Sequence, residues 1–174
     1  MVINNPIFQS TEDSDKAVYI YPSEHYSYWR TQLPDVELPW GAFGENFTSE
    51  GILEDQTKIG DRIRVGSTEF MVTQPRMPCF KLGIRFNRRD MVKHFLESKR
   101  SGFYLSVIRE GEVEIGDAIE FTEKQESGLT ITDIVNLHTV DSRNQELLRR
   151  ATEVPALPQS WKDYFRKRLW NADA

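Results

Sequence analysis

One short pattern occurs twice in the chain, and it constrains the fold more than any other feature. Ile-Gly-Asp at 59–61 is followed by Arg-Ile-Arg-Val, and Ile-Gly-Asp at 115–117 is followed by Ala-Ile-Glu-Phe. In each copy glycine and aspartate favour a turn, and the next residues alternate between apolar and polar types, as in a strand with one buried face. The two copies therefore predict two half-buried strands that start after turns.

Other short strand patterns surround these copies. Residues 16–21, 68–73 and 102–109 are rich in β-branched and aromatic residues, and Gly66-Ser67 predicts a hairpin turn. Helical patterns occur at 24–32, with Ser23 as its predicted N-cap, and at 90–99. Many short strands with few interleaved helices favour a β-barrel or sandwich over residues 16–122.

The pattern becomes helical after Gly128. Three helices are predicted, the first starting after Thr132 and the last running over 161–170. In the last helix the apolar residues form one stripe, which we expect to pack on the main domain or on a second subunit. The sequence thus predicts a β domain over residues 1–122 and a helical extension over 123–174.

Composition excludes several classes of protein. The chain has 174 residues with a formal net charge of −5, which argues against a general nucleic-acid binder. No apolar run is long enough for a membrane span and no secretory signal pattern is present, so a cytoplasmic location is expected. One cysteine excludes an intrachain disulfide framework and a zinc site built on paired cysteines.

That cysteine lies in the most unusual stretch of the chain, Pro-Arg-Met-Pro-Cys at 75–79. Proline cannot donate to a sheet ladder, so we expect Pro75 to end the preceding strand and Pro78 to stiffen the loop. Arg76 and Lys81 would favour the thiolate form of Cys79, which attacks electrophiles and binds soft metals. The alternative is a buried Cys79, since a lone cysteine commonly acts as a small hydrophobic residue.

Several ordered motifs closely resemble the MOSC domain, named for the C-terminal part of molybdenum cofactor sulfurase. They cover about residues 14–122, and the C-terminal helices resemble the tail of the stand-alone bacterial YiiM-type branch. The resemblance implies a mainly β (β+α) fold, a MOSC-type β-barrel with peripheral helices and a small C-terminal helical appendage. The motifs are Asp-Lys-Ala-Val-Tyr at 15–19, Tyr-Pro-Ser-Glu-His-Tyr at 21–26, Gly-Ala-Phe-Gly-Glu-Asn at 41–46, Ile-Gly-Asp at 59–61, Gln-Pro-Arg-Met-Pro-Cys-Phe-Lys-Leu at 74–82 and Gly-Phe-Tyr at 102–104.

The resemblance also implies an activity. The family's cysteine, thought to handle sulfur or to ligate molybdenum, corresponds to Cys79, and the family's arginine corresponds to Arg76. The stand-alone branch implies reduction of N-hydroxylated bases such as hydroxylaminopurine by a molybdenum cofactor (molybdopterin). A reductase needs electrons, and no flavin, haem or iron–sulfur pattern is present, so a redox partner protein is expected. The alternative is a non-catalytic module that carries the cofactor or a sulfur group.

Further residues are candidates to hold this anionic cofactor. A soft thiolate such as that of Cys79 suits molybdenum, and cations suit the pterin phosphate. Gly41 and Gly44 would let the backbone approach a ligand closely. The predicted cofactor-binding residues are Lys81, Lys16, Gly44, Glu45 and Asn46.

The chain departs from the family at its start. The family has a histidine followed by two glycines just before the Asp-Lys-Ala-Val element, whereas residues 8–15 here contain neither. His25 is the nearby substitute and our third catalytic candidate. The first barrel strands of the family are expected to be missing, and a partner chain or homodimer would then cover the open sheet edge.

Overall fold

The computed structural model describes residues 2–3 and 14–170. The mostly polar sequence of residues 1–15 predicts a loop, and most of these residues lie outside the described part of the chain. The strands are β1 Val2–Ile3, β2 Val18–Pro22, β3 Phe47–Ser49, β4 Arg62–Val65, β5 Thr68–Pro75, β6 Phe103–Arg109 and β7 Ile119–Glu123. The helices are α1 His25–Gln32, α2 Phe80–Arg85, α3 Met91–Ser98, α4 Ile131–His138, α5 Gln145–Glu153 and α6 Gln159–Trp170, with a 3-10 helix at Ser14–Lys16.

The strands form one curled sheet, a half-barrel, in the order β1-β3-β2-β6-β5-β4-β7. Strands β2 and β3 are parallel, and the other neighbours are antiparallel. This confirms the predicted β+α class. Among the described residues no helix is both long and apolar enough to cross a bilayer.

The two copies of the Ile-Gly-Asp pattern lie side by side. Each begins a strand, β4 and β7, and these strands pair with each other, with Ile63 opposite Phe121 and Val65 opposite Ile119. The predicted hairpin also forms, since Val65 pairs with Thr68 across a two-residue turn. Strand β5, which leads to the cysteine loop, is thus fixed between β4 and β6.

Two hydrophobic cores hold the sheet. The first lies against the strands and includes Ile63 and Phe70 together with Leu148 and Phe165 of the C-terminal helices. The predicted apolar stripe of α6 therefore packs on the main domain. The second core is aromatic and is built on β2, α1 and α3; it includes Tyr21, Tyr26, Trp29, Phe43 and Phe95. It supports the segment around Arg76.

Helix starts were predicted less well than strands. Helix α2, directly after Cys79, was not predicted. The N-cap of α1 is Glu24 rather than Ser23, whose carbonyl instead accepts from the Tyr26 amide at 3.0 Å. Helix α4 starts two residues earlier than expected, because Thr130 and Asp133 form a capping box.

Candidate functional site

The cysteine loop starts where strand β5 ends. That strand stops at Pro75, as predicted. Cys79 has an extended backbone, with φ −123° and ψ 175°, and immediately precedes helix α2. Its thiol is free and the residue is exposed, so the alternative of a buried cysteine is wrong. A nucleophile or metal ligand at this position is open to a partner from solution.

Arg76 lies over aromatic rings beside this loop. Its guanidinium carbon is 5.1 Å from the ring centre of Tyr19 and 5.3 Å from that of Phe95, distances at which cation–π attraction operates. Its backbone N–H donates to the carbonyl of Gly102 at 3.2 Å. Burial raises the pKa of Tyr19 well above its usual value, an effect that the Arg76 charge opposes. The ring below the guanidinium therefore stays neutral.

A buried nitrogen of this guanidinium has no hydrogen-bond partner in the described part of the chain. Nη1 of Arg76 is buried and makes no hydrogen bond to the described residues. A buried donor on a charged group costs free energy when it is unpaired, and an anion that accepts from it would recover this cost. Arg76 is thus the described residue best suited to hold an anionic group near Cys79.

His25 is tied to the same region through a carboxylate. Its Nε2 lies 2.9 and 2.8 Å from the two carboxylate oxygens of Glu54. Oε1 of Glu54 also accepts from the Gly102 amide at 2.7 Å, and the Gly102 carbonyl accepts from Arg76. A hydrogen-bond chain therefore runs from His25 through Glu54 and Gly102 to Arg76. The histidine orients this chain from one end.

Gly102 and Glu54 belong to the candidate site, and the sequence reasoning missed both. Gly102 has φ +60°, and an added Cβ would lie 2.6 Å from the Ile20 carbonyl and 2.7 Å from ring atoms of Tyr19 and Tyr21. Only glycine fits there. The signal available was the Gly-Phe-Tyr motif at 102–104, which we used only as a mark of resemblance. Glu54 carried no local signal.

The loop at 41–46 is stabilised from within. The carboxylate of Glu45, 3% exposed, accepts from the hydroxyl of Tyr26, from the amides of Gly41 (3.0 Å) and Phe43 (3.1 Å), and from the hydroxyl of Thr48 (3.1 Å). The Gly44 amide donates to the Gly41 carbonyl at 3.0 Å. Glu45 and Gly44 therefore shape the loop, and their predicted contact with a cofactor stays a prediction.

Other contacts join this loop to the cysteine loop. Asn46 exchanges two hydrogen bonds with the backbone of Tyr19, each of 2.8 Å, and Tyr19 is the ring below Arg76. Arg85 of α2 donates to the Gly41 carbonyl at 3.0 Å. The structure thus brings residues 41–46, Arg76 and α2 into one region.

The two predicted lysines lie in different elements. Lys81 is exposed in α2, two residues after Cys79. Lys16 is exposed at the end of the 3-10 helix, and its neighbour Asp15 accepts through its carbonyl from the hydroxyl of Thr73 at 2.5 Å. Among the described residues, no group of three histidine, cysteine or acidic side chains is arranged to hold a metal ion.

A small pocket of about 200 Å³ adjoins the cysteine loop at Met77. Its other walls come from the C-terminal helices: His138, Ser160, Trp161 and Tyr164. The indole N–H of Trp161 donates to the side-chain oxygen of Gln74 at 2.9 Å, which fixes α6 to β5. Burial, and then Arg168, lower the pKa of His138 below its usual value. A larger cleft, lined by Gly60, Arg62 and Arg150 among others, includes none of the predicted site residues.

Comparison with family models settles the relationship of this chain to known proteins. The MOSC domain model matches residues 9–120. This chain belongs to the MOSC domain family. A second model, the YiiM-like 3-alpha helix domain, matches residues 129–171. The resemblance stated from the sequence motifs is thereby confirmed, including the stand-alone YiiM-type branch.

Individual relatives agree with this MOSC assignment. Bacillus subtilis YflK is 36% identical over 154 residues, which are 88% of this chain and 69% of YflK. Escherichia coli YiiM is 31% identical over 156 residues, with the same two coverages. The crystal structure of YiiM from Geobacillus stearothermophilus superposes with a TM-score of 0.86 at 36% identity, covering 90% of this chain and 80% of that one. A Gibberella moniliformis protein named Reductase is 28% identical over 162 residues, 29% of its own length.

Proposed function

We propose that this MOSC protein is an oxidoreductase that holds the molybdenum cofactor at Cys79 and reduces N-hydroxylated bases such as hydroxylaminopurine. The observation that carries the proposal is the pairing of an exposed thiol with a guanidinium nitrogen, three residues away in the chain, that is buried and has no hydrogen-bond partner among the described residues. Family membership and the name Reductase on one relative support the class of reaction. A cytoplasmic location is part of the proposal.

The residues present fit the cofactor. The thiolate of Cys79 is a soft ligand of the kind that molybdenum accepts. Nη1 of Arg76 offers a charge-assisted hydrogen bond to an anionic oxygen, and Lys81 adds a mobile positive charge nearby. When bound, the cofactor supplies a centre for two-electron reduction. The reaction consumes two electrons and two protons, breaks the N–O bond, and yields an amine and water.

The protein's own part in this reaction is binding and orientation. Tyr19 and Phe95 hold the guanidinium of Arg76 from below through cation–π contacts. The pair His25 and Glu54 fixes Gly102, whose amide donates to Glu54 and whose carbonyl accepts from the Arg76 backbone. In this proposal Cys79 and Arg76 touch the cofactor, whereas His25 is a positioning residue.

The test is expression in a host that makes the cofactor, followed by measurement of bound molybdenum and pterin and of hydroxylaminopurine reduction with a supplied electron donor. Cys79→Ser should lose bound metal and turnover. Arg76→Gln should weaken cofactor binding by roughly 10- to 100-fold, the value of a charge-assisted hydrogen bond. Glu97→Gln, on the exposed side of α3, is the control and should match the unmodified protein.

Three results would contradict the proposal. Unmodified protein that contains neither molybdenum nor pterin would remove its basis. Stoichiometric cofactor without turnover on any N-hydroxylated base would favour the alternative, a cofactor or sulfur carrier. Retention of metal by Cys79→Ser would show that another residue is the ligand.

A further inference from the structure

Helix α2 exposes two large apolar side chains next to Cys79. Phe80 is 69% exposed and Ile84 is 71% exposed. Residues four apart lie on the same side of a helix, so the two side chains form one apolar patch. Isolated exposed apolar residues are ordinary, but two on the same side of a helix beside an exposed thiol form a candidate docking surface.

The charge around this patch is opposite to that of the rest of the protein. Residues 76–93 contain six lysines and arginines and one aspartate, a formal charge of +5, whereas the whole chain carries −5. Arg88 pairs with Asp90 at 2.7 Å. Lys81 and Arg89 are exposed, and neither pairs with an acidic side chain in the described part of the chain. The apolar patch therefore lies within a basic segment of the chain.

We infer that this α2 surface, defined by Phe80, Lys81, Ile84 and Arg89, docks an acidic electron-carrier protein. The inference rests on the proposed function, because reduction of an N–OH group needs two electrons from outside this chain. The carrier is oxidised as it delivers them, and two protons from water complete the balance. Charge complementarity identifies the partner: an acidic face meets the most basic segment of an acidic protein.

The size of the patch fits a transient encounter. Electron-transfer complexes bury little surface and depend on charge steering for fast association. A small apolar centre suits rapid release after transfer. The patch begins at the residue that follows Cys79, so a carrier seated on it lies beside the thiol that holds the cofactor in the proposed function.

Reduced flavodoxin, an acidic flavoprotein, serves as the probe, and dithionite-reduced methyl viologen serves as a small donor that needs no docking. The α2 variant is the double substitution Ile84→Ser/Arg89→Glu, and the control variant is Ile115→Ser/Arg149→Glu. Reduction rates with each donor are compared in the cofactor-loaded full chain. Ile115 is 69% exposed, so the control removes a matched isoleucine and reverses a matched exposed arginine elsewhere. A second readout is the change in backbone amide NMR shifts of the labelled chain on adding flavodoxin at low salt.

We expect the α2 variant to lose about tenfold or more in kcat/KM with flavodoxin, to keep the viologen rate, and to lose the flavodoxin-induced shifts at residues 80–89. The control should keep all three, and the flavodoxin rate of the unmodified protein should fall as salt is added. Equal loss with both donors, or loss of bound molybdenum, would overturn docking and assign the surface to the cofactor. If the unmodified protein is a dimer, and the α2 variant but not the control is monomeric with an unchanged flavodoxin rate, the α2 surface is the contact with a second copy of this chain.

The two proposals fail in different ways. Absence of viologen-driven turnover in the unmodified protein would refute the proposed function. The NMR titration decides the docking surface independently, because shifts confined to the α2 surface support it and no shifts at low salt overturn it.

Discussion

Replacing Glu45 with glutamine tests whether its carboxylate stabilises the 41–46 loop or is available to bind a ligand. Oε1 accepts from Tyr26, Gly41 and Thr48, and Oε2 accepts from the Phe43 amide. A glutamine that keeps its oxygen at the Oε1 position places its NH₂ group opposite the Phe43 N–H. One charge-assisted bond is lost, and two buried donors then face each other.

The magnitude follows from these contacts. Loss of a hydrogen bond to a charged group costs about 1.5–3 kcal/mol, and a buried unsatisfied donor costs about 1–3 kcal/mol. The three remaining bonds weaken because their acceptor becomes neutral. Glu45→Gln should therefore lower the free energy of unfolding by about 3 kcal/mol, and the melting temperature by about 6–12 °C for a domain of this size.

The assay is urea unfolding followed by tryptophan fluorescence, since Trp29 is buried in the adjoining aromatic core. Glu50→Gln is the matched control, because Glu50 is exposed five residues away, and it should change stability by less than about 0.5 kcal/mol. If the two variants are equally stable, the Glu45 carboxylate does not hold the loop. It would then be available for the cofactor contact predicted from the sequence.

Three further predictions concern the same region. Gly102→Ala should lower the free energy of unfolding in urea by about 2–4 kcal/mol. The control Gly51→Ala, also at positive φ but with no atom within 4 Å of the added Cβ, should lower it by about 1 kcal/mol. Equal losses of stability would show that the close packing at Gly102 relaxes. The pKa values of Tyr19, Tyr21 and Tyr26 are raised, mainly by burial. Because these folded-state pKa values exceed the unfolded value of about 10, the three tyrosines contribute their full stability below that pH and lose it above. An absorbance titration should show three of the six tyrosines ionising only as the protein unfolds. Reversible ionisation of all six in folded protein would contradict this. Cys79 should react with a thiol reagent without denaturant, at a stoichiometry of one per chain, and a requirement for urea would show that it is protected.

Sequence patterns predicted the parts of the fold that depend on local periodicity. The copies at 59–65 and 115–121 gave both strands, because alternation marks one buried face, but not that β4 and β7 pair with each other. Pairing of distant strands is a tertiary property that no local pattern encodes. Helix α2 was missed because Pro75 and Pro78 suggested a loop, and a six-residue helix is too short to show a period.

Sequence reasoning selected the loop residues of the candidate site but not the residues that support them. Pro75, Arg76 and Cys79 were recognised from neighbouring residue types in one stretch. Glu54 could not be, since its partners His25 and Gly102 lie 29 and 48 residues away in the chain. Long-range hydrogen bonds of this kind leave no periodic signal, so the residues that orient a site are harder to find than those that perform its chemistry.

The exposed residues of the cysteine loop and the buried residues that support it should differ in their effect on stability. Cys79, Phe80, Lys81 and Ile84 contribute little to stability because they are exposed, whereas Glu45, Glu54 and Gly102 are buried in hydrogen-bonded positions. Substitutions in the first group should alter binding or electron transfer in a protein of unchanged stability. Substitutions in the second group should lower both together. A variant such as Glu54→Gln that loses activity while its melting temperature is unchanged would place that carboxylate in the chemistry itself.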